Sequence, residues 1–130
     1  MSWNVDIADE LEAEWEERPI DVQDEILAHA KLLEQFGPQL GRPRVDTLKG
    51  SRYGNMKELR FDAANGVWRV AFAFDPRRHA ILLVAGDKSG TSPQRFYRQL
   101  IEKADARYKA HLAKLKLRNE HGSITQRKDR

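Results

Sequence analysis

Between Asn55 and Lys88 the chain reads NMKELRFDAANGVWRVAFAFDPRRHAILLVAGDK, and its large apolar residues recur at every second position. Leu59 and Phe61 share one parity while Glu58 and Arg60 take the other. Further on, Trp68, Val70, Phe72 and Phe74 share a parity and leave Arg69, Ala71 and Ala73 opposite. Alternation of this kind marks strands, whose successive side chains point to opposite faces. Asn65-Gly66, and Asp75-Pro76 with the two arginines that follow, punctuate the stretch into three strands in meander. The large apolar set must therefore cover a core, and the same sheet must deliver Glu58, Arg60 and Arg69 to its other side. A surface of small residues offering two guanidinium groups, with Lys88 at the exit of the third strand, suits a phosphate better than it suits solvent.

The rest of the chain supplies what this sheet needs. Trp3, Val5 and Ile7 alternate with Asn4 and Asp6 as a short first strand. From Ala8 the period changes: Leu11 and Trp15 stand four apart amid Glu10, Glu12, Glu14, Glu16 and Glu17, a short helix ended by Pro19. Asp21 has the character of an N-cap for a second helix, in which Val22, Ile26, Ala30 and Leu33 keep one face apolar until Gly37-Pro38. His29 in that helix reads as a packing or surface histidine. Residues 38–54 carry no clear period and read as an ordered, basic loop with Arg42, Arg44, Lys49 and Arg52. Pro93 suits the first position of a long terminal helix, along which Phe96, Leu100, Ala104, Tyr108, Leu112 and Leu115 form an apolar stripe. The first half of that stripe can close onto the sheet; the second half, from Tyr108, is offered to a partner subunit if it overhangs.

Charge is unevenly divided. Residues 1–40 carry eleven Asp or Glu against Arg18 and Lys31, net −9, whereas residues 41–130 carry 21 Lys or Arg against nine acids, net +12. The second portion attracts a polyanion and the first repels it, although runs of charge also mark plain solvated helix faces. Cysteine is absent, which excludes a disulfide framework and any thiolate metal site. No Gly-x-x-x-x-Gly-Lys-Ser/Thr segment and no Gly-x-Gly-x-x-Gly after a strand is present, so a nucleotide-hydrolysing fold is rejected. No apolar run approaches the ~20 residues that span a bilayer. The N-terminus lacks a basic and then apolar leader, and a soluble cytoplasmic protein is expected. No metal or other cofactor is expected. Residues 1–118 read as one α+β domain, and the polar NEHGSITQRKDR of 119–130 as a disordered tail.

The element order, with VDTLKGSRYGNMKELRF, GVWRVAFAFD and ILLVAGDKSG, resembles the RelE/HigB superfamily of toxins from type II toxin-antitoxin systems, especially its phage-derived HigB-like branch. The resemblance covers Trp3 to Ala110, and its most specific pieces are Leu48-Lys49-Gly50, Glu58-Leu59-Arg60 and Trp68-Arg69-Val70. It implies a RelE-like β-α-α-β-β-β-α fold with a small, mostly antiparallel sheet, helices on one face and a cationic cleft on the other. It also implies a ribosome-dependent messenger RNA endoribonuclease, an mRNA interferase, held inactive by a cognate antitoxin of helix-turn-helix, DNA-binding type. Arg69 sits where the family's strand arginine sits, Arg60 closes the Glu-Leu-Arg segment, and Lys88 falls near the basic or histidine residue after the last central strand. The sequence departs from RelE in having Glu58 before Leu-Arg in place of lysine, and no histidine after Gly86.

Cutting RNA through its own 2′-hydroxyl requires a base for that proton, cations for the charge on phosphorus oxygens and an acid for the leaving 5′-oxygen. Arg69 and Arg60 suit the middle task. Lys88 is the first candidate for proton transfer, because an amine crowded by cations gives up its proton more readily; Lys57 has the wrong parity, Tyr97 on the terminal helix is a weaker candidate, and Glu58 is the carboxylate on the same face as Arg60. The catalytic candidates are thus Arg69, Arg60, Lys88 and Glu58, and Lys49, Arg52, Lys57, Arg77, Arg78 and Tyr97 are the RNA-binding candidates. Glu58 and Arg60 read equally as a structural ion pair, and His79 reads as a surface histidine. Two other classes stay open: a ParE-like inhibitor of DNA gyrase, and an RNA- or ribosome-binding module without activity. Convergence of the two guanidiniums with Lys88, uncapped, favours the nuclease; arginines buried in salt bridges with Glu58 or Asp87 favour the others. The oligomeric state is left open.

Overall fold

The computed structural model describes residues 3–128, with side chains described as far as residue 119. Five strands form one sheet: β1 (Asn4–Ile7), β2 (Val45–Thr47), β3 (Met56–Ala63), β4 (Gly66–Phe74) and β5 (His79–Asp87). Their order is β1-β5-β4-β3-β2, with β1 parallel to β5 and every other pair antiparallel. Around it lie α1 (Asp9–Ala13), α2 (Ile20–Phe36) and α3 (Pro93–Lys128), with 3-10 turns at Trp15–Glu17 and Gly37–Gln39. The α+β class and the RelE-like element order are as expected, with one added strand. β2 lies inside the segment read as loop; at three residues it is too short to show a period, and it exists through its pairing with Lys57, Glu58 and Leu59.

The alternation places two cores, one on each face of the sheet. Leu59, Phe61, Trp68, Val70, Phe72 and Leu82 pack with Leu11, Val22, Ile26 and Leu33 of α1 and α2. The opposite parity, Met56, Ala71, Ala73, Ile81 and Leu83, packs with Phe96, Leu100, Ala104 and Tyr108 of α3. The expectation of helices on one face alone is therefore corrected: α3 lies on the face that carries Glu58, Arg60 and Arg69. Ala71 and Ala73 explain why, since small residues leave room for a helix to approach. A register shift at Ala71/Phe72 lets Leu83 and Val84 both join the α3 side. Complete burial of side chains such as Phe72 and Leu59 contributes about 1.5–3 kcal/mol each.

Several local expectations change as well. Pro19, in extended conformation, is the N-cap of α2 and Asp21 lies in its first turn, where a carboxylate favours the helix N-terminus without capping it. The helix expected up to Pro19 ends at Ala13 and tightens into the 3-10 turn. The β3–β4 turn is Ala64-Asn65, both at positive φ (50° and 61°), one residue before the Asn-Gly read from sequence. Gly66 opens β4, and a Cβ there would fall 2.6 Å from Asp87 Oδ2. Tyr108 and Leu115 are buried and Leu112 is half-buried, so that stretch of α3 packs onto the rest of the chain and does not overhang. Much of the expected tail lies outside the described side chains, and the helical bounds of α3 run to Lys128.

Candidate active site

Arg69 projects from β4 toward α3 and is only 6% exposed. Its Nε–H donates to the Tyr97 hydroxyl at 3.3 Å, and its Nη1 donates to the carbonyl of Trp68 at 2.9 Å. The Tyr97 hydroxyl donates in turn to Glu58 Oε2 at 3.3 Å, while Arg69 Nε stands 3.9 Å from Glu58 Oε1. That Oε1 is buried without a hydrogen-bond partner among the described residues. Lys88 Nζ lies 5.7 Å from the centroid of the Tyr97 ring. Arg69, Glu58, Tyr97 and Lys88 are thus brought together between the sheet and the first turns of α3.

Electrostatics follows from burial. Desolvation pushes the Glu58 carboxyl above its ordinary value, against the opposing pull of the Tyr97 hydroxyl and the Arg69 and Arg60 guanidiniums. Desolvation also raises Tyr97, with the Glu58 charge adding to it and the Arg69 hydrogen bond opposing it. The group of four is a carboxyl whose proton affinity burial raises, a phenol, a guanidinium and an ammonium. Such a set can exchange a proton and neutralise an anion in one small volume.

The expected open dish of converging guanidiniums is absent. Arg60 lies directly across from Arg69 in the β3–β4 ladder, but its Nη1 goes to Asp46 Oδ2 on β2 at 3.4 Å. Asp46 also accepts from Arg42 at 3.0 Å and from the backbone of Thr47 at 2.8 Å, and these contacts hold it below the usual carboxylate range. Each arginine is therefore matched to a carboxylate of its own. Asp87 is not one of these. It accepts from Val67 N, Ser89 N and Ser89 Oγ, and it fastens the β3–β4 turn to the loop that carries Lys88.

The remaining candidates divide by position. Lys57 has the parity of Leu59 and faces the α2 side, away from the cluster. Arg77 and Arg78 sit in the β4–β5 turn, beyond Phe74, which ends β4 five residues or about 17 Å past Arg69. There Arg77 pairs with Asp75 at 3.8 Å and Arg78 lies 4.5 Å from the Trp3 ring centroid. Lys49 and Arg52 are exposed on the loop after β2, which Asp105 of α3 holds through Ser51 Oγ (2.5 Å) and Arg52 N (3.1 Å). His79 Nδ1–H donates to Asp6 Oδ2 at 2.7 Å while its Nε2 accepts from Asn4, and His29 is buried against Phe61. Sequence reasoning placed Tyr97 among RNA contacts and missed it as the bridge between Arg69 and Glu58. Its signal was position, four residues before Ile101 at the margin of the apolar stripe. Asp46 was missed altogether, because its strand was.

Residues 13–109 match the model of the family described as phage-derived protein Gp49-like (DUF891). The chain belongs to this Gp49-like family. Two relatives from Mycobacterium tuberculosis (strain ATCC 25618 / H37Rv) are assigned as toxins by name. HigB2 is 47% identical over 89 residues, 68% of this chain and 44% of HigB2; HigB3 is 50% identical over 91 residues, 70% of this chain and 73% of HigB3. The chain thus spans under half of HigB2 and about three quarters of HigB3. Among solved structures, a double arginine mutant of the Escherichia coli toxin RelE in its free state superposes with a TM-score of 0.60. That match covers 82% of this chain and 98% of RelE at 11% identity, and so speaks to fold. The Gp49-like chain is accordingly a relative of HigB3 with a RelE-like fold. No helix among the described residues is long and apolar enough to cross a membrane.

Proposed function

We propose that this Gp49-like chain is the toxin of a type II toxin-antitoxin pair, a cytoplasmic mRNA interferase that cuts messenger RNA on the ribosome through its own 2′-hydroxyl. The observation that carries the reading is the kinship with the toxins HigB2 and HigB3; the buried cluster supplies groups that could do the chemistry, since Glu58, made more basic by desolvation, shares the Tyr97 hydroxyl with Arg69, and Lys88 stands over the same ring. In this reading Glu58 takes the 2′-hydroxyl proton. Arg69 stabilises the charge on the phosphorus oxygens, and Lys88 or the Tyr97 phenol protonates the leaving 5′-oxygen. Arg60, held by Asp46, steers the RNA backbone together with Lys49 and Arg52. The chemistry draws on side chains alone. RNA reaches Arg69 once the first turns of α3 lift Tyr97 from it, since the guanidinium is sealed where it now lies. A cognate antitoxin that favours the sealed arrangement holds the enzyme silent.

The same sealed Arg69–Glu58 pair favours a second reading, in which the scaffold acts by binding alone, as a gyrase inhibitor or an inactive ribosome-binding module. One experiment separates the two. The chain is induced in cells, message ends are mapped, and gyrase supercoiling is assayed with purified protein. Codon-phased cuts that vanish with Arg69→Ala support the nuclease. Intact messages with blocked supercoiling, or intact messages with protein on ribosomes, overturn it in favour of the second reading.

A further inference from the structure

The two edges of the sheet are protected very differently. β2 is three residues long and is preceded by Arg42, Pro43 and Arg44, features that discourage another strand from pairing. β1 has no proline, no lysine and no bulge, and its register with β5 is unbroken from Asn4 to Ile7. In a strand paired on one side, alternate residues turn both backbone polar groups to the partner and the others turn both away. Ala8 N donates to Leu82 O, which fixes the even positions as those facing β5. Val5 and Ile7 therefore present N–H and C=O outward. The preceding outward group, Trp3 N, is already taken by the carbonyl of Glu34, so the open edge begins at Val5.

This edge borders a cleft. A space of about 500 Å³ lies between β1, the start of α1 and the second half of α3, with Ile81, Ala110 and Leu115 among its apolar lining. Three cations on its α3 wall are matched: Arg107 forms two bonds to Glu14, His111 pairs with Asp75, and Lys114 pairs with Asp9, while Arg118 at the end of that wall has no ion pair among the described residues. Glu10 and Glu12 line the cleft with no ion pair among the described residues. Unspent hydrogen-bonding groups, an apolar floor and two uncompensated carboxylates occur side by side.

We propose that the β1 edge and its cleft receive an extended polypeptide strand of a partner protein, apolar at alternate positions and basic where it passes Glu10 and Glu12. Main-chain bonds to Val5 and Ile7 supply affinity, alternate side chains enter the cleft over Ile81 and Leu115, and the carboxylates select a cation. The site lies away from the Arg69 cluster and does not depend on the nuclease reading.

The test uses the full chain and a synthetic probe, acetyl-(Lys-Val)3-amide, with acetyl-(Glu-Val)3-amide as control. Amide exchange of Val5 and Ile7 is expected to slow at least tenfold with the lysine peptide and to stay unchanged with the glutamate peptide. Val5→Pro removes an outward N–H that the sheet does not use, and a proline is tolerated at such an edge; it is expected to abolish peptide binding while near-ultraviolet circular dichroism stays native. If that variant does not fold, the surface variant Glu10→Lys/Glu12→Lys carries the test and must weaken binding at least tenfold. Absence of protection, equal protection by both peptides, or unaltered binding by a folded Val5→Pro overturns the proposal. Protection that grows with protein concentration in the absence of peptide overturns it too, in favour of a second copy of this chain at the edge.

Discussion

Arg69 and Glu58 stand 3.9 Å apart on neighbouring strands, each less than a tenth exposed, with the hydroxyl of Tyr97 bonded to both. Removing one member of a buried pair leaves the other charged and unsolvated, which costs about 3–5 kcal/mol. Arg69→Met is expected to lose stability on that scale in urea unfolding, and Glu58→Gln in the same chain to recover much of it. A double-mutant cycle measures the coupling, and additive losses would count against the pair.

Glu58 also sets a pH dependence. Its carboxyl is raised from 4.5 in the folded chain, so the folded state holds the proton more tightly than the unfolded one. Its stabilising contribution is full below 4.5 and is lost as the pH rises through the higher folded value. Wild type is therefore expected to lose stability relative to Glu58→Gln over that interval, by urea titrations at stepped pH. Carboxyls held low, such as Asp87, act in the opposite sense, losing their contribution as the pH falls.

Tyr97→Phe deletes one hydroxyl and keeps the ring under Lys88. The loss of a hydrogen bond to a buried carboxylate costs about 1–3 kcal/mol. If the cluster cuts RNA, cleavage falls more than tenfold, beyond what the stability change accounts for, and message-end mapping at matched protein levels reads the difference. Cleavage unchanged by Tyr97→Phe removes the hydroxyl from the proposed chemistry.

The basic loop after β2 is held by one acid. Ser51→Ala removes a bond to Asp105 and is expected to cost about 1 kcal/mol, with faster tryptic cleavage after Arg52. Asp105→Ala removes the backbone bond to Arg52 as well and is expected to exceed it.

Gly66→Ala meets Asp87 Oδ2 at 2.6 Å and is expected to cost about 1–3 kcal/mol by overpacking. Because Asp87 also holds Ser89, that variant is expected to loosen the loop carrying Lys88, seen as faster exchange of the Lys88 amide, which now bonds Val67 O.

The strands from Met56 to Asp87 were legible because alternation is local, and the same parity put Glu58, Arg60 and Arg69 on one face. What parity does not encode is what lies over that face. The stripe from Phe96 to Tyr108 showed that α3 packs on a sheet, but both faces accept a helix: one through large apolar residues, the other because Ala71 and Ala73 leave space. Which carboxylate meets which arginine depended on β2, three residues whose conformation comes from Lys57, Glu58 and Leu59 rather than from their own sequence. Arg77 and Arg78 were counted as RNA contacts on charge alone, and their partners Asp75 and Trp3 come from the turn and from the distant N-terminus.

The parallel seam joins Asn4 to His79, 75 residues later in the chain. On a polypeptide emerging N-terminus first, the opening strand waits unpaired until β5 has followed it out, and Tyr97 arrives later still. A product broken off before α3 therefore lacks both its second core and its assembled cluster.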